Sequence, residues 1–123
     1  MKNEFRVLKC KKCNATVISF EESKTMLQCC SEEMEELIPN SVDASFEKHV
    51  PTYEIVDGIV KAKVNHVMEE EHYIEWLAYV TEDSHDLRYF EPYMLAEAEF
   101  KYVPNSKLYA YCNKHGLWES EVK

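Results

Sequence analysis

The sequence predicts an all-β protein in two parts, a small N-terminal metal domain over residues 1–38 and a β-sandwich over residues 39–123. Three observations lead there. Four of the five cysteines fall in the first thirty residues, while every histidine lies at position 49 or later. Beyond Asn40 the chain runs in short pieces rich in β-branched and aromatic residues, the composition of strands. Prolines and an Asp-Gly pair cut these pieces at fairly even spacing, as in sandwich folds.

The N-terminal piece reads CKKC, then fifteen residues, then CC, which sets out Cys10, Cys13, Cys29 and Cys30. A segment of about forty residues cannot bury enough apolar surface to fold securely without a metal, a disulfide or a partner. A C-x2-C pair on a tight turn gives two thiolates to one ion. A second pair returning through a hairpin completes a tetrahedral set, the preference of zinc and of iron–thiolate centres. Adjacent ligands at 29 and 30 require the backbone to bend sharply between them. Lys9, Lys11, Lys12 and Lys24 offset the thiolate charge. The competing reading is two disulfides or buried free thiols. At LIPNS, residues 37–41, the chain changes from cysteine-bearing to histidine-bearing, and the boundary falls there.

In FEKHVPTYEIVDGIVKAKVNHV two extended runs, Tyr53 to Val56 and Ile59 to Val64, meet at Asp57-Gly58, a strong hairpin signal. YIEWLAYV, residues 73–80, has the aromatic and branched content of a buried strand. The overlapping MEEEHYIEWLA fits a helix equally well, and periodicity does not separate the two. EFKYVPNSKLYAYC supplies two more runs around a Pro104-Asn105-Ser106 turn.

Charge narrows the function. Lys and Arg number 14 against 23 Asp and Glu, for a net charge of −9. Phosphate backbones need clustered positive charge, so nucleic acid is not an expected partner. No apolar run approaches the roughly 20 residues a bilayer span needs, and MKNEFRVLKCKK has no signal-peptide core. The expected setting is the cytoplasm, where thiols stay reduced and cysteine clusters lean toward metal or redox chemistry. An odd cysteine count also disfavours a closed disulfide framework.

The histidines are His49, His66, His72, His85 and His115. One histidine alone is more often a surface or core residue than a ligand. Four of these have company. His49 follows Glu47-Lys48 and precedes Val50-Pro51. His66 and His72 bracket VMEEE, a spacing that shares a face on an extended chain and not on a helix, and a loop between them would also let them converge. His115 lies three residues after Cys112, with Gly116 beyond it. His85 sits in the acidic stretch EDSHD and reads as solvated. Four imidazoles and one thiolate exceed the needs of a structural tetrahedral zinc. They suit a redox iron with one position open.

These pieces together identify a family. CKKC…CC, EKHVP at 47–51, H-x-M-E-E-x-H-Y-I-E-W at 66–76 and YCNKHG at 111–116 resemble the desulfoferrodoxins, the two-domain superoxide reductases, in this order along almost the whole chain. The resemblance implies a desulforedoxin-like first domain holding iron or zinc on Cys10, Cys13, Cys29 and Cys30. It implies an immunoglobulin-like sandwich whose catalytic iron is bound in a plane by His49, His66, His72 and His115, with Cys112 axial. The implied reaction is one-electron reduction of superoxide to hydrogen peroxide. Lys48 would attract the anion and orient a proton-delivering water, and Glu47 would fill the open position after product leaves. A homodimer and an electron donor such as rubredoxin are also implied. The family tends to have glycine where this chain has Asn14 and Ser31, and proline where it has Val67. Two other readings stay open: an electron-transfer protein working through the four-cysteine centre, and a structural or sensing module with zinc there.

Overall fold

The computed structural model describes residues 5–20 and 27–123. The chain divides into two compact units, Met1–Ile38 and Pro39–Lys123. Lys24, named above, lies outside the described residues.

In the first unit β1 (Arg6–Lys9) is the central strand of a three-stranded sheet. It pairs antiparallel with β2 (Thr16–Ser19) on one side and, past two further strands, with β5 (Glu35–Glu36) on the other. Those two are β3 (Gln28–Cys29) and β4 (Glu32–Glu33), a separate hairpin in which Cys29 faces Glu32. Only Cys30 and Ser31 connect them, and both have positive φ, 52° and 62°. Left-handed geometry at both central positions is the mark of a type I′ turn, whose twist matches the flanking strands. This turn supplies the sharp bend that adjacent cysteine ligands require. Asn14, φ 64°, turns the chain after Cys13, and its N–H bonds the carbonyl of Cys10 at 2.9 Å. The apolar centre of this unit is Leu8, Cys10 and Met34, with Cys29 packed against them.

The second unit opens with a single helical turn, α1 (Phe46–His49). Seven strands follow in two antiparallel sheets, an all-β sandwich. The hairpin of β6 (Thr52–Val56) and β7 (Ile59–Lys63) turns at Asp57-Gly58, both with positive φ. Then come β8 (Ile74–Val80), β9 (His85–Tyr89), β10 (Glu97–Lys101), β11 (Ser106–Cys112) and β12 (Gly116–Val122). One sheet has the order β10-β7-β6 and the other β12-β11-β8-β9. The Pro104-Asn105-Ser106 segment therefore carries the chain from one sheet to the other. Tyr79 ties that crossing down: its hydroxyl accepts from the Val103 N–H at 2.9 Å and from Ser106 Oγ at 2.7 Å.

Thirteen buried residues form the core between the sheets, among them Val60, Ala62, Ile74, Leu77, Phe100, Leu108 and Cys112. Tyr79 stacks on Phe100 across it at 5.0 Å. β7 alternates cleanly, Val60 and Ala62 inward and Lys61 and Lys63 exposed. β8 and β11 are covered on both faces, so almost every residue along them is buried. His85, expected in a solvated turn, instead begins β9 opposite Val80 and is half-buried.

Candidate metal centres

The structure brings the nine metal-ligand candidates into two clusters. Within each, the potential ligand atoms lie within 4.8 Å of one another. The first comprises Cys10, Cys13, Cys29 and Cys30, and all five cysteines of the chain are free thiols. Cys13 Sγ is 3.6 Å from Cys29 Sγ, which is 3.9 Å from Cys30 Sγ. An ion held about 2.3 Å from four sulfurs sets them about 3.8 Å apart, so the spacing fits a tetrahedral thiolate site. The cluster's electrostatics ask for a cation. The Cys13 N–H holds the Cys10 thiol down at about 7, while hydrogen bonding to Cys13 and Cys10 pushes Cys29 up to about 12 and also raises Cys30. Cys10 ionises readily, and Cys29 and Cys30 then resist further negative charge unless a metal balances it.

The second cluster draws on four separate stretches of chain. His49 ends α1, His66 follows β7, His72 precedes β8, and Cys112 and His115 flank the turn between β11 and β12. The four imidazoles form a closed ring. Successive centroids are 4.7 Å (His49–His66), 4.5 Å (His66–His72), 5.0 Å (His72–His115) and 4.9 Å (His115–His49). The His49–His72 diagonal is 6.5 Å, close to that of a square with those sides. Adjacent rings meet steeply, at 72° to 88°. Cys112, fully buried among the core residues, lies 3.4 Å from His66 Nε2 and 3.9 Å from His115 Nδ1.

Hydrogen bonds select which nitrogens face the centre. His49 Nδ1–H donates to the Ser45 carbonyl at 2.7 Å, and His66 Nδ1–H donates to the Val67 carbonyl. A carbonyl only accepts, so each of these nitrogens carries the proton and each Nε2 presents a lone pair inward. Among the described residues, His72 Nε2 is buried with no hydrogen-bond partner. An unsatisfied ring nitrogen of that kind is where a metal would bind. Burial pushes the pKa of His49, His66 and His72 down, His66 to about 4, so these rings are neutral ligands at pH 7. Burial pushes Cys112 up, against N–H bonds from Lys114 and His115 that favour its thiolate. The donor set, with the tautomers of His49 and His66, fits a single transition-metal ion.

Lys48 is exposed and lines a cavity of about 380 Å³ together with His66, Val67, Met68 and Leu95. Glu47 is exposed on α1. Gly116, φ 78°, turns the chain directly after His115. Two residues that sequence reasoning passed over stand out. Trp118, fully buried, stacks on His49 at 4.8 Å and donates from Nε1 to the His115 carbonyl at 3.0 Å. Asn113 links the turn after Cys112 to the loop that carries His72. Its place inside CNKH, between two ligand candidates, was the available signal.

Three comparisons bear on identity. The family profile described as desulfoferrodoxin matches residues 41–121. Among similar proteins, the desulfoferrodoxin of Desulfarculus baarsii is 37% identical, over 98% of this chain and 99% of its own. The superoxide reductase of Pyrococcus abyssi is 39% identical, over 68% of this chain and 92% of its own. Among solved structures, the superoxide reductase from Treponema pallidum superposes with a TM-score of 0.74 at 27% identity, covering 95% of this chain and 98% of that one. With a family profile spanning most of the sandwich and a relative aligned nearly end to end, this chain belongs to the desulfoferrodoxin family.

Proposed function

We propose that this protein is a superoxide reductase, converting superoxide to hydrogen peroxide with one electron and two protons at an iron held by His49, His66, His72, His115 and Cys112. The observation that carries the reading is the square of four imidazoles with a buried sulfur beside it. Bound there, ferrous iron supplies the electron.

The protein's own groups do the rest. Burial disfavours the Cys112 thiolate, so a bound cation would be needed to hold it in that form, and the Lys114 and His115 N–H groups would temper the electron density it gives. Superoxide is an anion and the chain is acidic, so a local cation must overcome long-range repulsion. Lys48, at the cavity beside His66, is that cation, and it orients the water that delivers protons. Glu47, its neighbour on α1, would be the carboxylate that could bind the metal once product has left.

The four-cysteine centre of unit 1 takes iron or zinc. As iron it relays electrons, and as zinc it only holds the fold. The first 38 residues then form a desulforedoxin-like domain and residues 39–123 the reductase domain. We assign the protein to the reducing cytoplasm, as a homodimer served by a rubredoxin-like donor. Among the described residues no helix is long and apolar enough to cross a membrane.

Stopped-flow mixing of the reduced protein with superoxide tests the activity. Peroxide formed without dioxygen supports reduction. Equal yields of the two indicate dismutation and overturn the proposal.

A further inference from the structure

The geometry points to Asn113 as the positioning residue that fixes His72 relative to Cys112 and His115. This rests on the reading of those residues as ligands to one metal. β8 and β11 pair from Lys107–Val80 down to Cys112–Ile74, with a register shift between Tyr111 and Cys112. Beyond that last pair the strands end, yet the loops they lead into must stay in register for the ligands to converge. Asn113 supplies the next rung. Its backbone N–H donates to the Tyr73 carbonyl at 3.3 Å. In a regular antiparallel rung the Tyr73 N–H would return to the backbone carbonyl of residue 113. Here it donates instead to Asn113 Oδ1 at 3.1 Å. The side chain thus stands in for the backbone carbonyl, and the main chain is released to turn through Lys114 to His115.

The other end of the amide closes the clamp. Asn113 Nδ2–H donates to the Glu71 carbonyl at 2.9 Å. Glu71 and Tyr73 are the two neighbours of His72, so one side chain grips the backbone on both sides of that ligand. Opposite polarity at the two contacts fixes the amide's orientation, because an N–H needs the oxygen and a carbonyl needs the NH2. Few residues meet both demands. Aspartate keeps the acceptor for Tyr73 but turns an unprotonated oxygen toward the Glu71 carbonyl. Alanine meets neither. A one-ångström error in ligand placement is costly at a metal site, and loss of supporting hydrogen bonds typically weakens metal affinity about 10–100-fold.

A matched control is available in the same unit. Asn40 makes a similar two-ended clamp, from Nδ2 to the Glu119 carbonyl at 3.2 Å and from the Glu119 N–H to Oδ1 at 2.8 Å. It grips β12 and neither neighbour of His72. The test is iron affinity of the sandwich site, measured by chelator competition, in the wild type and in Asn113→Ala, Asn113→Asp and Asn40→Ala, with amide exchange at Tyr73 followed in parallel. The expected result is a loss of about tenfold or more in Asn113→Ala, a smaller loss in Asn113→Asp, wild-type affinity in Asn40→Ala, and faster Tyr73 exchange only when the acceptor is gone. Equal losses in Asn113→Ala and Asn40→Ala would mean general destabilisation and overturn the assignment, as would wild-type affinity in Asn113→Ala. Failure of the wild type itself to bind iron there would instead refute the metal reading on which the assignment stands. If Asn113→Ala does not fold, Asn113→Asp decides: unchanged affinity overturns the proposal.

Discussion

The two units of this chain are held together differently. The sandwich has thirteen residues in its central core, and its ligand candidates sit at the edge of that core on strand ends and turns. Among the described residues of the first unit the central cluster is only Leu8, Cys10 and Met34, and one of them, Cys10, is itself a ligand candidate. In the sandwich, packing comes first and the metal site is built upon it. In the first unit the metal site takes the place of packing. One chain thus carries a centre that needs a fold and a fold that needs a centre.

The largest expected effect follows directly. Stripping metal should unfold the first unit, since structural zinc sites contribute on the order of 10–16 kcal/mol, and leave the sandwich folded. Amide exchange should lose protection at Leu8 and retain it at Leu77 and Leu108. Loss of protection at all three in one transition would erase the distinction. Next, Cys112→Ser should abolish the thiolate-to-iron charge-transfer absorption and destabilise the sandwich by about 1–3 kcal/mol by burying a hydroxyl. A band that persists would mean another ligand. Lys48→Ala should slow the reaction with superoxide by about tenfold or more while iron stays bound. A rate equal to wild type would remove Lys48 from its assigned role.

Acid should act on the sandwich through its histidines. His49, His66 and His72 have folded pKa values below the ordinary 6.5, so the unfolded chain binds more protons as pH falls below that value. Stability of the metal-free unit should be full above pH 6.5 and decline as pH drops toward about 4, where His66 titrates in the folded state. Urea midpoints at several pH values would read this out, and a flat profile would contradict it. The smallest effect belongs to the first unit. Ser31 holds φ at 62° in the type I′ turn, a conformation that suits glycine. Ser31→Gly should raise the stability of the metal-loaded unit by about 0.5–1 kcal/mol. A decrease would show that the serine is favoured there.

Local chemistry made parts of the fold legible. Asp57-Gly58 marked its hairpin because two left-handed residues in a row admit few side chains, and Val60 and Ala62 alternate with lysines because one face of β7 meets water. Residues 68–78 were ambiguous because β8 is covered on both faces, which removes the alternation that separates strand from helix. β12 carries Glu119 and Glu121 beside Leu117 and Trp118, and it went unread. The ligand candidates were nameable as residue types and through family resemblance. Their convergence was legible only through that resemblance, since α1 leads into one sheet, the turn carrying His115 belongs to the other, and the two rings meet only once the sheets pack. The supporting groups are harder still: the Ser45 and Val67 carbonyls have no side-chain signature, and Asn113 reads as an ordinary turn residue until its partners are known.

The most direct test of the account is the position of iron itself, found by anomalous diffraction at the iron edge on crystals of the iron-loaded protein. The account predicts an iron bonded to Nε2 of His49, His66 and His72, to Nδ1 of His115 and to Cys112 Sγ. Iron seen only among the four cysteines, or bound in the sandwich without the Cys112 sulfur, would contradict it.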